Sequence, residues 1–121
     1  MKVPFLNLKE QNLQIKNEVI LLWEEILASS QFIGGEHVSG FEEEFSDACD
    51  SKYCVAVSSG TCALRFIFLA LDLNPGDEVI TVSNSAIPTV SAINSCGAKV
   101  KFVDVGEDYL IDTSKIENII T

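Results

Sequence analysis

Apolar residues recur at intervals of three and four in the first part of the chain, and this spacing predicts two helices over residues 1–50. The first is expected over residues 8–29, with one face formed by Ile15, Val19, Leu22 and Ile26. A Gly34-Gly35 pair then breaks the chain direction. The second helix has a predicted inner face of Val38, Phe41, Phe45 and Ala48. Its outer face carries an acidic cluster that we interpret as solvated surface: Glu42, Glu43, Glu44 and Asp47.

From Tyr53 onward the pattern changes to short apolar runs that alternate with helical spacing. The runs predict strands at 53–57, 78–82 and 99–103. Helices are expected over 61–72 and 86–95, with another starting over 113–120 and capped by Thr113 or Ser114. This alternation predicts right-handed crossovers and a mainly parallel sheet, so residues 51–121 are expected to form a βαβαβ part of a three-layer α/β fold.

Charge and composition argue against several classes of function. Eight basic and eighteen acidic residues give a net charge of -10, which argues against binding to nucleic acid or to an anionic membrane. Nothing in the sequence is typical of a signal peptide or a membrane span, so we expect a cytoplasmic protein. The four cysteines form no CxxC pair and accompany a single histidine, so no zinc or other metal site is predicted. We expect them to be reduced and mostly buried.

The residues between the first predicted strand and the next helix can support anion binding. Ser58-Ser59-Gly60-Thr61, hereafter the 58–61 turn, directs free backbone N–H groups and the positive end of a helix at one point. A phosphate group fits this chemistry. The loop after the second strand, residues 83–89, is small and polar and is expected at the same sheet edge. The alternative is an ordinary strand-to-helix turn with an N-cap, since the turn lacks the glycine spacing of dinucleotide-binding folds and the Gly-Lys-Ser/Thr ending of nucleotide triphosphate loops.

Several segments together are similar to one known family. They are Val3–Leu8, Phe32–Gly35, Val38–Phe45, Ala56–Leu64, Pro75–Ile80, Pro88–Ile93 and Gly97–Val105. In this order and spacing, the chain resembles the N-terminal part of the DegT/DnrJ/EryC1/StrS family of sugar aminotransferases. Each segment is a weak signal alone, but together they cover nearly all of residues 3–121.

The resemblance implies a fold, a cofactor and a reaction. Residues 1–121 would form an incomplete large domain of the aspartate-aminotransferase-like fold, fold type I among pyridoxal phosphate enzymes. Family members transfer an amino group, usually from glutamate, to a nucleotide-linked keto sugar used in polysaccharide, lipopolysaccharide or antibiotic synthesis, and they work as homodimers. By this resemblance Gly60, Thr61 and Cys62 hold the phosphate of pyridoxal phosphate, and the loop containing Ala86 lies against its ring. Together with Ser59 of the same turn, these are the predicted cofactor-binding residues.

The chain also departs from the family pattern. Many members have an aromatic residue at the position of Ala86, and aspartate is common at that of Asn7. The lysine and aspartate that act on the cofactor come from later sequence, and none of Lys52, Lys99, Lys101 and Lys115 lies in the matching motif. We therefore assign no catalytic residue and expect a truncated chain without activity. The alternatives are a non-catalytic remnant or binding fragment, a sugar dehydratase of the same family, and a flavodoxin-like domain that binds a phosphate.

Overall fold

A computed structural model describes residues 3–121, and the chain divides into two units between Ala56 and Val57. The first two residues of the predicted N-terminal region lie outside the described residues. The first unit is helical, and the second contains the paired strands.

The first unit contains two helices joined by a glycine pair. Helix α1 spans Leu8–Ser29, as its apolar spacing predicts, and ends where Ser30 adopts a left-handed φ of 56°. Gly34 and Gly35 follow with φ values of 66° and 90°, a region that glycine enters without steric cost. Helix α2 then spans Glu36–Ala48. The glycine pair therefore sets the point at which the second helix begins.

The predicted inner face of α2 is not buried. Phe41 and Phe45 keep about half of their surface exposed, at 51% and 49%. Their ring centroids lie 5.4 Å apart, so the two rings contact each other rather than a core. Neither α1 nor α2 has a buried residue among those described. The prediction of a buried face is wrong for residues 3–121, because the described part of the first unit has no layer that covers it.

The second unit is a strand–helix–strand unit with a preceding helix. Helix α3 spans Gly60–Ala70, strand β1 Glu78–Val82, helix α4 Ile87–Ser95 and strand β2 Lys99–Val103. The two strands pair in parallel, with Glu78 opposite Lys99 and Val82 opposite Val103. Helix α4 packs against both α3 and β2. The buried core lies here and consists of Ala92, Ile93, Ala98 and Val103. The α/β class, the parallel pairing and both strand ranges are confirmed.

The connections fix the direction of the two helices. The 74–77 turn leads from α3 into β1, and the carbonyl of Asp77 accepts the N–H of Lys99 at 2.8 Å. Gly97 ends α4 with φ of 80°, and a Cβ atom there would lie only 3.1 Å from Cγ of Pro75. Both helices thus return the chain to the start of a strand. Helix α4 therefore begins at the end of the sheet where β1 finishes and packs against α3.

The predicted strand at 53–57 does not pair with another strand in the described residues. The N–H of Ala56 donates instead to Oε1 of Glu42 at 2.7 Å, a side-chain acceptor in place of a strand carbonyl. Tyr53 and Val55 each keep 75% of their surface exposed. An apolar run becomes a strand only when a neighbouring strand accepts its hydrogen bonds. The prediction of a third paired strand is therefore wrong for residues 3–121.

The predicted helix over 113–120 is instead two short 3₁₀ turns, Thr113–Lys115 and Glu117–Ile119. The cap is Asp112, rather than Thr113 or Ser114, because its carboxylate accepts the N–H of Ser114 at 3.1 Å. Its Oδ1 also accepts the Ser114 hydroxyl at 2.6 Å. Local side-chain bonds of this kind favour tight turns over a continuous helix.

The cysteines are free thiols, but the expectation that most are buried is wrong. Cys49 is exposed, and Cys54, Cys62 and Cys96 are partly exposed. Their neighbourhoods contain too few packed layers to exclude solvent. Among residues 3–121, no helix combines the length and the apolar character needed to cross a membrane.

Candidate functional site

The first turn of α3 leaves two backbone donors without an intramolecular acceptor. Ser59 is the N-cap, with extended backbone angles, and its hydroxyl accepts the N–H of Cys62 at 3.2 Å. The carbonyl of Ser59 accepts the N–H of Ala63 at 2.9 Å. Within residues 3–121, the N–H groups of Gly60 and Thr61 have no such acceptor. Helix geometry orients these two donors outward along the axis, where a bound anion would accept them.

The space beside Gly60 is open. A Cβ atom built on Gly60 would meet no heavy atom within 4 Å. Gly60 is exposed and Thr61 is partly buried, so the turn is accessible to a ligand. The partial positive charge of the helix end adds a favourable electrostatic contribution for an anion. The arrangement of donors and space therefore fits a phosphate group.

Cys62 lies in the same turn and has an altered acidity. The Ser58 hydroxyl donates to its sulfur at 3.2 Å. This hydrogen bond, then the one from Ser59 and the nearby charge of Arg65, lower the pKa of the Cys62 thiol, while partial desolvation acts in the opposite direction. Hydrogen bonds to sulfur stabilise the thiolate relative to the thiol, and the pKa is lowered for this reason.

The loop after β1 carries the second group of predicted site residues. Ser85 donates its N–H to the carbonyl of Ser83 at 2.9 Å, and its hydroxyl lies 2.9 Å from the hydroxyl of Thr89. Ala86 is the N-cap residue of α4 but provides no side-chain cap. It is exposed and offers only a methyl group. This loop follows β1 directly and therefore lies at the carboxyl end of that strand.

Lys115 belongs to a charged cluster that the sequence did not single out. Its Nζ lies 3.3 Å from Oδ2 of Asp104 and 3.4 Å from Oδ2 of Asp112. Asp104, and then Asp112, raise the pKa of the Lys115 ammonium group. Such a lysine stays protonated at neutral pH and is a poor nucleophile. The cluster borders an open pocket of about 310 Å³ that Ser83 and Asn118 also line.

Glu42 is the second residue whose contact the sequence missed. It is partly buried, whereas Glu43 and Glu44 beside it are exposed. Its hydrogen bond reaches Ala56, fourteen residues away. The interpretation of the whole acidic cluster as solvated surface is therefore wrong for Glu42. No local pattern separates it from its neighbours, since the bond depends on where the later segment lies.

Comparison with known proteins identifies the family. The model of the DegT/DnrJ/EryC1/StrS aminotransferase family matches residues 13–121. The chain belongs to this family. It is 38% identical over 120 residues to the dTDP-3-amino-3,6-dideoxy-alpha-D-galactopyranose transaminase of Aneurinibacillus thermoaerophilus, covering 98% of this chain and 33% of that protein. The resemblance stated above is thus confirmed.

Solved structures of the family share the fold. The complex of S. venezuelae DesV with a ketimine intermediate superposes with a TM-score of 0.93 at 34% identity, covering 99% of this chain and 33% of that chain. A GDP-4-keto-6-deoxymannose-3-dehydratase with a trapped PLP-glutamate geminal diamine matches with a TM-score of 0.73 at 33% identity, covering 81% of this chain and 27% of that chain. The chain therefore has part of the large domain of fold type I, and it spans about a third of the length of these relatives.

Proposed function

We propose that this chain provides the cofactor-phosphate region of a pyridoxal phosphate-dependent aminotransferase acting on a nucleotide-linked keto sugar, with glutamate as amino donor. The observation that carries the proposal is the pair of unbonded N–H groups at Gly60 and Thr61, beside open space, in a chain of an aminotransferase family. An ordinary capped turn would leave the same two amides open, since the first N–H groups of any helix lack intrahelical acceptors, so the family membership is what favours a cofactor phosphate here.

Each residue of the proposed site has a distinct role. Gly60 and Thr61 donate their backbone N–H groups to the cofactor phosphate. The Ser59 hydroxyl holds the first turn of α3 in place by accepting the N–H of Cys62. Cys62 borders the phosphate, and Ala86 offers its methyl group to the face of the ring without aromatic stacking. When bound, pyridoxal phosphate supplies an electron sink for cleavage of bonds at the amino carbon.

The name of a relative supports the proposed nucleotide-sugar substrate. The Aneurinibacillus protein is a transaminase whose name specifies a dTDP-linked amino sugar, which supports a nucleotide sugar as substrate here. We extend the proposal to a homodimeric, cytoplasmic enzyme of polysaccharide or antibiotic sugar synthesis. The four free thiols are in keeping with a reducing compartment.

Sugar dehydration is the second candidate reaction. The structural likeness to a PLP-containing dehydratase supports it, since the same phosphate-binding turn would serve either chemistry. The two reactions differ in products: amino transfer consumes glutamate and yields an amino sugar, whereas dehydration yields a deoxy keto sugar. Product analysis of a nucleotide keto sugar incubated with the full enzyme and glutamate distinguishes them.

Cofactor binding is tested with equilibrium dialysis of the 121-residue chain against pyridoxal phosphate. We expect saturable binding of pyridoxal phosphate that inorganic phosphate inhibits by competition. Gly60→Asp places a carboxylate at the phosphate position and should abolish binding. The helix itself should tolerate this change, because an aspartate in the first turn interacts favourably with a helix N-terminus. Gly40→Asp is the matched control, because a side chain there also meets open space. Equal binding by the wild type and both variants would contradict the proposed site.

Amino transfer is tested separately on the same chain. We expect none, because Lys52, Lys99, Lys101 and Lys115 lie outside the family's lysine motif and Lys115 is held protonated by two carboxylates. The assay combines pyridoxal phosphate, glutamate and a dTDP-linked keto sugar, followed by borohydride and peptide mass analysis. Amino sugar formation together with a single labelled lysine peptide would overturn this expectation.

A further inference from the structure

The Cys62 thiol is an ionisable group in the same helical turn as the two open amides. Cys62 follows Gly60 and Thr61 directly, and its own N–H donates to the Ser59 hydroxyl at 3.2 Å. Its sulfur accepts the Ser58 hydroxyl at 3.2 Å, and Ser58 lies before the helix begins. The side chain therefore extends back toward the N-terminal end of α3, the direction in which Cα–Cβ bonds of a helix are tilted.

A thiolate in this turn lies within electrostatic reach of an anion at the helix end. Side chains of an α-helix extend about 5–6 Å from its axis, and an anion that accepts the first N–H groups lies at the end of that axis. These dimensions are smaller than the Debye length of about 8 Å at physiological ionic strength, so salt screens the two charges only in part. A thiolate and a phosphate therefore repel each other here.

The same features of the turn stabilise both anions. The partial positive charge at the N-terminus of α3 favours a thiolate in the first turn, as it favours a phosphate. The hydrogen bonds from Ser58 and Ser59, and the charge of Arg65, lower the pKa of the Cys62 thiol against the effect of partial desolvation. The thiolate therefore forms at a lower pH than in an ordinary cysteine, at the helix end that a phosphate would occupy.

Arg65 is the charged residue that acts on this thiol. Helix α4, which packs against α3, has no ionisable side chain between Ile87 and Ser95. Cys96 follows that helix, and its sulfur lies 3.9 Å from the carbonyl oxygen of Arg65. The Arg65 guanidinium keeps its charge below about pH 12, and the 58–61 turn has no ionisable side chain. Cys62 is therefore the residue of this turn and first helical turn whose charge changes in mildly alkaline solution.

We propose that ionisation of Cys62 opposes phosphate binding at the 58–61 turn, because the thiolate and the phosphate compete for one helix end. The inference rests on the proposed function for the identity of the ligand, and it makes that site sensitive to pH. A phosphate monoester carries its second charge above about pH 7, so its own charge is constant there. Binding should weaken as the pH rises through the thiol pKa, and by linkage a bound phosphate should raise that pKa by the same factor.

Equilibrium dialysis against pyridoxal phosphate from pH 7 to pH 10 gives the first test. Cys62→Ser keeps an atom that can accept the Ser58 hydroxyl but does not ionise, and Cys96→Ser is the control that keeps the Cys62 thiol. Over this range, the affinity of the wild type and of Cys96→Ser should fall about threefold more than that of Cys62→Ser. Ionisation of the pyridoxal ring and of the lysines is common to all three proteins and cancels in the comparison. Saturable binding with equal pH profiles in the wild type and Cys62→Ser would overturn the inference and leave the proposed function intact.

The wild type alone gives the second test, through the pH midpoint of Cys62 alkylation by iodoacetamide. The midpoint is compared in inorganic phosphate and in sodium chloride of equal ionic strength. Phosphate should raise it by about half a pH unit, the same threefold effect expressed as a pKa. Steric protection would slow alkylation at every pH, and an unmoved midpoint would overturn the inference. If pyridoxal phosphate binds at no pH while inorganic phosphate still raises the midpoint, the proposed function fails and the competition at the helix end stands.

Discussion

At the scale of single residues, the first turn of α3 satisfies one of its own amides and leaves two for a ligand. The Ser59 hydroxyl accepts the N–H of Cys62, while Gly60 and Thr61 keep their donors. The hydroxyls of Ser58 and Ser59 also act on the Cys62 sulfur. The structure of this turn and the acidity of its thiol therefore depend on the same few hydroxyl groups.

Replacing Ser59 tests the cap. Ser59→Ala leaves the N–H of Cys62 without its acceptor and should lower the free energy of unfolding by about 1 kcal/mol. Urea denaturation followed by circular dichroism measures the change. Ser91→Ala is the control, because Ser91 is an exposed residue within α4. Equal stability of the Ser59 and Ser91 variants would show that the cap contributes nothing.

The rate at which Cys62 is alkylated should depend on the hydrogen bond that its sulfur accepts from Ser58. The Ser58 hydroxyl is the largest cause of the lowered pKa of this thiol. In Ser58→Ala the thiol pKa rises, so the pH at which iodoacetamide labelling accelerates should move upward. Peptide mass spectrometry follows Cys62 separately from the other three cysteines. An unchanged pH profile would mean that the hydroxyl does not stabilise the thiolate.

At the scale of elements, local patterns determined which segments became helices and paired strands. The bounds of α1, β1 and β2 match the prediction because each is encoded by its own apolar spacing and by adjoining turns. The 53–57 segment has an equally apolar sequence, yet pairing needs a partner strand that no local pattern supplies. Glu42 was misread for the same reason, since its hydrogen bond spans fourteen residues. The free amides of the 58–61 turn were predicted from the strand-to-helix sequence, whereas their assignment to Gly60 and Thr61, with Ser59 as the cap, needed coordinates.

The Asp112 turn has a pH dependence with a defined sign. The Ser114 hydroxyl, followed by Lys115 and the Ser114 N–H, lowers the pKa of the Asp112 carboxyl. A carboxyl group whose pKa is depressed on folding stabilises the folded state above its unfolded pKa, and this contribution is lost as the pH falls through the folded pKa. Asp112→Asn keeps an oxygen acceptor but removes the charge, so it should be less stable than wild type at pH 7.

The free energies of unfolding of the wild type and Asp112→Asn are compared by urea denaturation over a range of pH. The difference between wild type and Asp112→Asn should shrink once the pH falls below about 4, the ordinary range for aspartate. Asp72→Asn serves as the control, because both residue types tolerate the left-handed backbone that Asp72 adopts at φ of 55°. A difference that is constant from pH 7 to pH 3 would contradict an electrostatic role for Asp112.

At the scale of the whole molecule, a small buried core coexists with extensive exposed apolar surface. Four hydrophobic residues of the second unit are buried among those described, while Phe5, Ile33 and Ile87 keep 107%, 93% and 81% of their surface exposed. Large apolar exposure promotes association, and an unpaired strand edge adds backbone groups that can bond to another chain. The net charge of -10 opposes association only while it is unscreened.

We therefore expect the 121-residue chain to associate in a concentration- and salt-dependent manner and to have low stability. Sedimentation velocity at low and physiological ionic strength measures the association, and thermal denaturation measures the stability. Larger species should increase with salt, because screening removes the repulsion between acidic chains. A monomer at every concentration and salt, with a cooperative thermal transition, would contradict this account of the exposed surface.

The central claim is that the amides of Gly60 and Thr61 bind the phosphate of pyridoxal phosphate. The most direct measurement is a titration of ¹⁵N-labelled chain with pyridoxal phosphate and, in parallel, with pyridoxal, which lacks the phosphate. The account predicts saturable shifts of the Gly60 and Thr61 amide signals with pyridoxal phosphate and none with pyridoxal. Equal shifts of these two signals with both compounds would contradict it. Pyridoxal phosphate shifts confined to other residues, with the Gly60 and Thr61 signals unchanged, would contradict it as well.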